Sequence, residues 1–174
     1  MPTAADFWPN LIGFQAAWWA CALFGDSGAL LAFAWLLGHL GLHPRRLFEM
    51  RVVLAAGTIG CLVDVALSTS GWLVFSTSSG HLPFWLIVLW GCFAATLNNS
   101  LKFLQGRLYL AALLGGIGGP LSYYAGAELG RLGFGSTLTS LLVLAAVWAL
   151  LLPALLKLAQ RLSPPAFAHQ GVTS

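Results

Sequence analysis

Long apolar runs with almost no charge constrain this chain more than any other feature. Six runs follow one another, each about 17–21 residues long, and at 1.5 Å per residue such a helix matches the roughly 30 Å core of a bilayer. Their positions are 8–25, 27–43, 50–69, 82–101, 108–127 and 137–157. Only 7% of the 174 residues are charged and 59% are hydrophobic, too few polar groups to cover a water-soluble globule. The sequence therefore predicts an all-α integral membrane bundle of about six transmembrane helices.

The breaks between the runs predict how the chain is organised. The first two runs are separated by the cluster Gly25-Asp26-Ser27-Gly28, which favours a tight antiparallel hairpin over a single long helix and so six helices over five. No linker divides the rest, so residues 1–162 are predicted to form one transmembrane domain. Residues 163–174 have no periodicity and are predicted to be a disordered cytoplasmic tail.

The basic residues predict the orientation of the bundle. If the six runs alternate across the membrane, one side receives seven of the eight Lys and Arg residues and the other receives Arg131 alone. The positive-inside rule assigns the richer side, and with it both termini, to the cytoplasm. The seven residues are Arg45, Arg46, Arg51, Lys102, Arg107, Lys157 and Arg161. Because they are scattered between apolar runs and form no basic patch, nucleic acid is not an expected partner.

Polar side chains at membrane depth predict a first site in the outward half, because such groups are costly in lipid. Asp64 and Ser122 lie at a similar depth, about 20 Å from the cytoplasmic edge, each beside a stripe of small residues. These stripes predict close packing of the third helix against the fifth. Pro120 follows the glycine-rich stretch 115–119, and this predicts an interrupted helix that lines a cavity. The predicted binding pocket comprises Asp64, Ser122, Tyr123, Tyr124, Glu128 and Asp26.

The same residues allow another interpretation. A kinked fifth helix can serve packing alone, with its freed carbonyl met by a Tyr or Ser side chain. Asp64 would then be a protonated packing residue, and Glu128 would simply lie at the interface.

A second polar layer is predicted about 10 Å from the cytoplasmic edge. Amide side chains at this depth either hold a polar headgroup or bridge helices by hydrogen bonds, and both interpretations stay open. The predicted members of the layer are Asn10, Gln15, Asn98, Asn99 and Lys102.

Motifs for metals, cofactors and catalysis give no positive assignment. His39 and His43 are four residues apart, a spacing that can hold a metal on one helical face, but no third ligand follows at a suitable distance, so no metal is predicted. The chain has no Ser-His-Asp order, no H-E-x-x-H and no phosphate-binding glycine loop. We therefore expect no cofactor and name no catalytic residue, and whether the chain is an enzyme stays open.

Four segments carry a family resemblance, namely Asn10–Trp19, Leu62–Asp64, Ala95–Ser100 and Gly118–Ala127. Through them the chain, up to about Leu162, resembles a bacterial family of small polytopic inner-membrane proteins of unknown function. Members of that family are often encoded near enzymes that modify membrane fatty acids, such as cyclopropane-synthase-like methyltransferases. The resemblance implies a location in the bacterial inner membrane and membrane lipid as the partner.

Three hypotheses for the function follow. The first is a lipid-linked protein that assists fatty-acyl modification or binds a lipid, and it requires a lateral opening in the bundle. The second is a small proton-coupled transporter or channel, suggested by Asp64 and the interrupted fifth helix, which would need to form a homo-oligomer. The third is a structural protein of membrane assembly.

Overall fold

The computed structural model describes residues 4–75 and 82–162 and is all-α within them, as predicted. These residues form six helices, a two-stranded ribbon and a single 3-10 turn. The helices are α1 (Ala4–Phe24), α2 (Asp26–Leu42), α3 (Arg46–Thr69), α4 (Phe84–Ala94), α5 (Leu108–Glu128) and α6 (Thr137–Leu162). The predicted disordered tail, 163–174, lies outside the described residues, and the extent of the domain stays a prediction.

Five of the six predicted runs coincide with a helix to within five residues at each end. The hairpin prediction is confirmed, because α1 and α2 are joined by Gly25 alone and pack along each other. Gly25 has a φ of 58°, in the left-handed region that glycine adopts at little cost. Gly28 lies so close to the carbonyl of Ala20 that a side chain at this position would collide with α1.

The fourth run departs from the prediction. A helix was expected over 82–101, but α4 ends at Ala94, and the chain continues through buried turns to residue 101. This stretch is rich in Thr, Asn and Ser, whose side chains compete with the helical backbone for hydrogen bonds. Buried non-helical backbone is tolerated only where other groups of the protein satisfy its hydrogen bonds.

The predicted packing of the third helix against the fifth is wrong. Gly60 of α3 faces the indole of Trp90 from α4, and Gly119 of α5 faces the indole of Trp148 from α6. The two indoles stack on each other, with ring centroids 5.3 Å apart and planes 8° from parallel. In each stripe one glycine faces an indole ring, while another faces a backbone: Gly57 faces α4 at Gly91, and Gly115 faces α6 at Trp148. The partners of α3 and α5 are therefore α4 and α6, and not each other as predicted. α5 also runs as one continuous helix through Pro120, so the predicted interruption does not occur.

A short ribbon ties together two loops at one end of the bundle. Strand β1 (Leu73–Val74) pairs antiparallel with strand β2 (Gly133–Phe134), with Leu73 opposite Phe134. The Ser140 hydroxyl adds a 2.8 Å hydrogen bond to the carbonyl of Trp72. The loops before α4 and before α6 therefore lie side by side.

Two of the helices in the described part of the chain, α3 and α6, are long and apolar enough to cross a membrane, judged by length and composition. Large apolar side chains are also exposed on every helix of the bundle. Examples are Ile12, Leu31, Leu54, Ile87, Leu121 and Leu150.

Candidate functional site

An apolar cleft lies between α1, α4, α5 and α6 and encloses about 70 Å³. We call it the aromatic cleft because aromatic rings form a large part of its wall. Its main lining residues are Phe14, Trp18, Leu89, Trp90, Tyr123 and Trp148. α1 and α5, which both border the cleft, make few contacts with each other.

Asp64 supports two walls of this cleft from behind. Its carboxylate is fully buried and accepts a 2.6 Å hydrogen bond from Trp90 Nε1 and a 2.5 Å bond from the Tyr123 hydroxyl. Each carboxylate oxygen has one donor, which satisfies a group that would be costly if left unpaired. Because Trp90 and Tyr123 both line the cleft, Asp64 fixes its shape without reaching its interior.

Two hydrogen-bonded contacts hold α1 to the other half of the bundle. Trp18 Nε1 donates to Ser122 Oγ at 2.9 Å, which joins α1 to α5. Arg131, in the loop after α5, donates to the carbonyls of Ala22 and Leu23 at 2.8 and 2.7 Å. These carbonyls end α1 and have no helical partner, so the guanidinium caps the helix.

The other residues predicted for the outward pocket lie elsewhere. Asp26 accepts a 3.0 Å hydrogen bond from the backbone N–H of Trp85 and so caps the start of α4. Tyr124 and Glu128 are exposed and do not line the cleft. Of the six predicted residues, the structure brings together Asp64, Ser122 and Tyr123.

The predicted second layer surrounds the turns after α4. Asn10 donates to the carbonyl of Ala95 at 3.1 Å and accepts from both the N–H and the hydroxyl of Ser100, at 3.2 and 2.6 Å. Asn99 donates to the carbonyl of Ala95 at 2.8 Å. Amide side chains thus replace the helical hydrogen bonds that this segment lacks, which is the bridging interpretation of the layer.

Of the remaining predicted members of the layer, one takes part in hydrogen bonds within these turns and two do not. Asn98 accepts a 3.0 Å bond from Gln105, whose amide also donates to the carbonyl of Leu97. Gln105 was not predicted to take part. Gln15 and Lys102 are exposed and lie outside this network.

The predicted sites did not include Glu49, which lies between the second and third predicted runs. Its carboxylate is only 2% exposed and accepts a 2.7 Å hydrogen bond from Asn99. His39 Nε2 lies 3.4 Å from one carboxylate oxygen, and His43 Nε2 lies 4.0 Å from the other. The available signal was the paired histidines followed by an acidic residue one helical turn into α3.

A second cleft of about 410 Å³ opens beside this cluster, between the start of α1 and the end of α2. We call it the histidine cleft. Its lining residues are Pro9, Asn10, Trp35, Gly38, His39, Leu42, His43, Pro44 and Asn99. Within the described ranges, no group of three or more His, Cys, Asp or Glu side chains is arranged to hold a metal ion.

Comparison with known proteins gives one match. The family model described as "Protein of unknown function (DUF2878)" matches residues 7–154. No curated protein and no solved structure matches the chain.

Proposed function

The chain belongs to the DUF2878 family of proteins of unknown function, and we propose that it is a multi-pass membrane protein that binds a lipid acyl chain in the aromatic cleft. The proposed location is the bacterial inner membrane, with six spans and both termini in the cytoplasm. The proposed role is that of a lipid-binding accessory to fatty-acyl modification.

The apolar surface supports the membrane location. Leucines on separate helices are more than half exposed, including Leu31 at 66%, Leu121 at 61% and Leu150 at 75%. A water-soluble protein rarely exposes so many large apolar side chains on every helix, whereas lipid solvates them. The fourth span would consist of α4 together with the buried turns after it, since α4 alone is about 16 Å long.

A reporter that is active only outside the cytoplasm tests the proposed orientation. We expect it to be inactive when fused after Arg161 and active when inserted in the segment 70–81, because the basic residues of the chain cluster on the other side. Activity of cells carrying each fusion, normalised to the amount of protein, is the measurement. The opposite pattern would reverse the orientation.

The aromatic cleft carries the lipid-binding proposal. It is apolar and is bordered by α1 and α5, which make few contacts with each other, and we propose that lipid tails enter laterally between these two helices. At about 70 Å³ the cleft is smaller than the roughly 300–1,000 Å³ of ligand pockets, so it must widen to admit an acyl chain. The proposed widening is a movement of α1 away from α5, which breaks the Trp18–Ser122 hydrogen bond and the bonds from Arg131 to the end of α1.

Photo-crosslinking tests whether an acyl chain occupies the aromatic cleft. A phospholipid with a diazirine in its acyl chain is reconstituted with the protein, and crosslinked peptides are located by mass spectrometry. We expect crosslinks to the cleft-lining residues, and we expect Leu89→Trp to remove them because the larger ring fills the space. Ile87→Trp is the matched control, since Ile87 lies on the same helix but is 47% exposed on the outer surface. Equal crosslinking in both variants would refute acyl binding in the cleft.

A proton-coupled transporter is the second candidate, and the observation that favours it is the burial of Asp64. A fully buried carboxylate on α3, hydrogen-bonded to α4 and α5, is the kind of group that proton-coupled membrane proteins use. The protein would then need to form a homo-oligomer, since one copy has six helices. The activity of the Asp64→Asn variant in a strain lacking the protein separates this candidate from lipid binding.

A further inference from the structure

The histidine cleft contains polar groups that the acyl-binding site does not use. We propose that this cleft binds the phosphodiester headgroup of an anionic, hydroxyl-bearing phospholipid such as phosphatidylglycerol. The inference rests on the membrane location proposed above and adds the class of lipid.

His43 provides a hydrogen-bond donor that a ligand can use. His43 Nδ1 accepts a 3.2 Å hydrogen bond from the backbone N–H of Arg45, so the ring proton of the neutral form lies on Nε2. That nitrogen is 4.0 Å from Glu49, which is too long for a hydrogen bond. His43 Nε2–H is therefore available to a group in the cleft.

The amide side chains on the cleft wall supply a second donor and one acceptor. Both N–H bonds of the Asn99 amide are used, toward Glu49 and toward the carbonyl of Ala95, so its carbonyl oxygen remains to accept. Asn10 uses one of its two N–H bonds for the carbonyl of Ala95, and the other remains to donate. Phosphate oxygens match the donors, and a headgroup hydroxyl matches the acceptor.

The charges around the histidine cleft favour an anion. Arg45 and Arg46 are exposed and directly follow Pro44, which lines the cleft. The acidic group beside them, Glu49, is 2% exposed, does not line the cleft and is bonded to Asn99. Neither arginine lines the cleft, but both lie beside its rim, and clusters of Lys and Arg next to transmembrane helices attract anionic headgroups.

The size of the cleft fits the same ligand. A volume of about 410 Å³ falls within the range of small-molecule pockets, about 300–1,000 Å³, and the cleft is open at one side. A headgroup can therefore enter while its acyl chains stay in the lipid.

Native mass spectrometry of the full chain in a non-ionic detergent tests the proposal, with phosphatidylglycerol and phosphatidylcholine as probes. We expect phosphatidylglycerol to bind more tightly, and we expect His43→Ala and the pair Arg45→Gln/Arg46→Gln each to weaken it about tenfold. The pair Lys157→Gln/Arg161→Gln removes the same charge from another exposed cytoplasmic site and should change binding less than twofold. Unfolding midpoints matched to the parent protein verify that each variant is folded.

Three results would overturn the headgroup site. The first is equal affinity for the two lipids, and the second is an equal loss of affinity in the two charge-removal pairs. The third is displacement of phosphatidylglycerol by inorganic phosphate at the same concentration, which would indicate a site for free phosphate. The acyl-chain crosslink, measured in the same variants, keeps the two proposals distinguishable. Absence of the cleft crosslink in the parent protein, with selective phosphatidylglycerol binding intact, would refute only acyl binding in the aromatic cleft.

Discussion

Gly119→Ala is expected to lower the free energy of unfolding by about 1–3 kcal/mol, the usual cost of overpacking a filled core. A Cβ at this position would collide with the first side-chain carbons of Trp148, which are close to the backbone and cannot rotate away. Trp148 would have to shift, and its stacking on Trp90 would shift with it. Gly119→Leu should destabilise the protein further. Unfolding in mixed micelles, followed by circular dichroism, measures the effect.

Gly118→Ala is the matched control on the same helix. No atom lies within 4 Å of a Cβ at Gly118, so the added methyl group meets open space. Replacing a helical glycine with alanine then stabilises by roughly 0.5–1 kcal/mol, because the unfolded backbone loses freedom. Opposite signs for these neighbouring substitutions would establish the indole contact, and equal stability of both variants would contradict it.

Asp64→Ala is expected to destabilise the protein by about 2–6 kcal/mol, since each unpaired buried donor costs about 1–3 kcal/mol. The two donors are Trp90 Nε1 and the Tyr123 hydroxyl. The substitution also removes the group that supports both walls of the aromatic cleft. We therefore expect the acyl-chain crosslink to weaken even in the fraction that remains folded.

Asp64→Asn is the conservative partner of that variant and should cost less than Asp64→Ala, because the amide keeps an acceptor for Trp90 and fills the same space. The asparagine oxygen can accept from Trp90, which is a donor only, while its N–H can donate to the Tyr123 hydroxyl oxygen. Activity in a strain lacking the protein then separates the two candidate functions. Full restoration by this folded variant excludes proton coupling through Asp64, whereas loss of function with the crosslink intact would favour the transporter over the lipid binder.

The end of the fourth helix could not be predicted from the local sequence alone. The predicted helix extends to residue 101, whereas α4 ends at Ala94. The turns that replace the end of this helix depend on hydrogen bonds from two residues outside the stretch. Asn10 lies 85 residues before its partner Ala95, and Gln105 lies 8 residues after its partner Leu97. A propensity for turns in the Thr-Asn-Asn-Ser stretch is readable, but the groups that make those turns tolerable when buried are not.

The candidate site divides in a similar way. Depth along the helices was enough to associate Asp64 with the residues around Ser122, because rise per residue is fixed. It was not enough to separate Tyr123, which reaches Asp64, from Tyr124, which is exposed, since neighbouring helical residues point about 100° apart. Glu49 was missed because its burial depends on α2 and on the turns after α4.

The sequence alone determined the helical class, the boundaries of five helices and the α1–α2 hairpin, because hydrophobic run length and glycine-containing breaks act locally. Only the tertiary structure decided what fills the small-residue stripes. Gly60 and Gly119 signal close approach in either case, but a stripe of small residues accommodates a neighbouring backbone and an indole ring equally well. The choice depended on Trp90 and Trp148, which come from two other helices and stack between them.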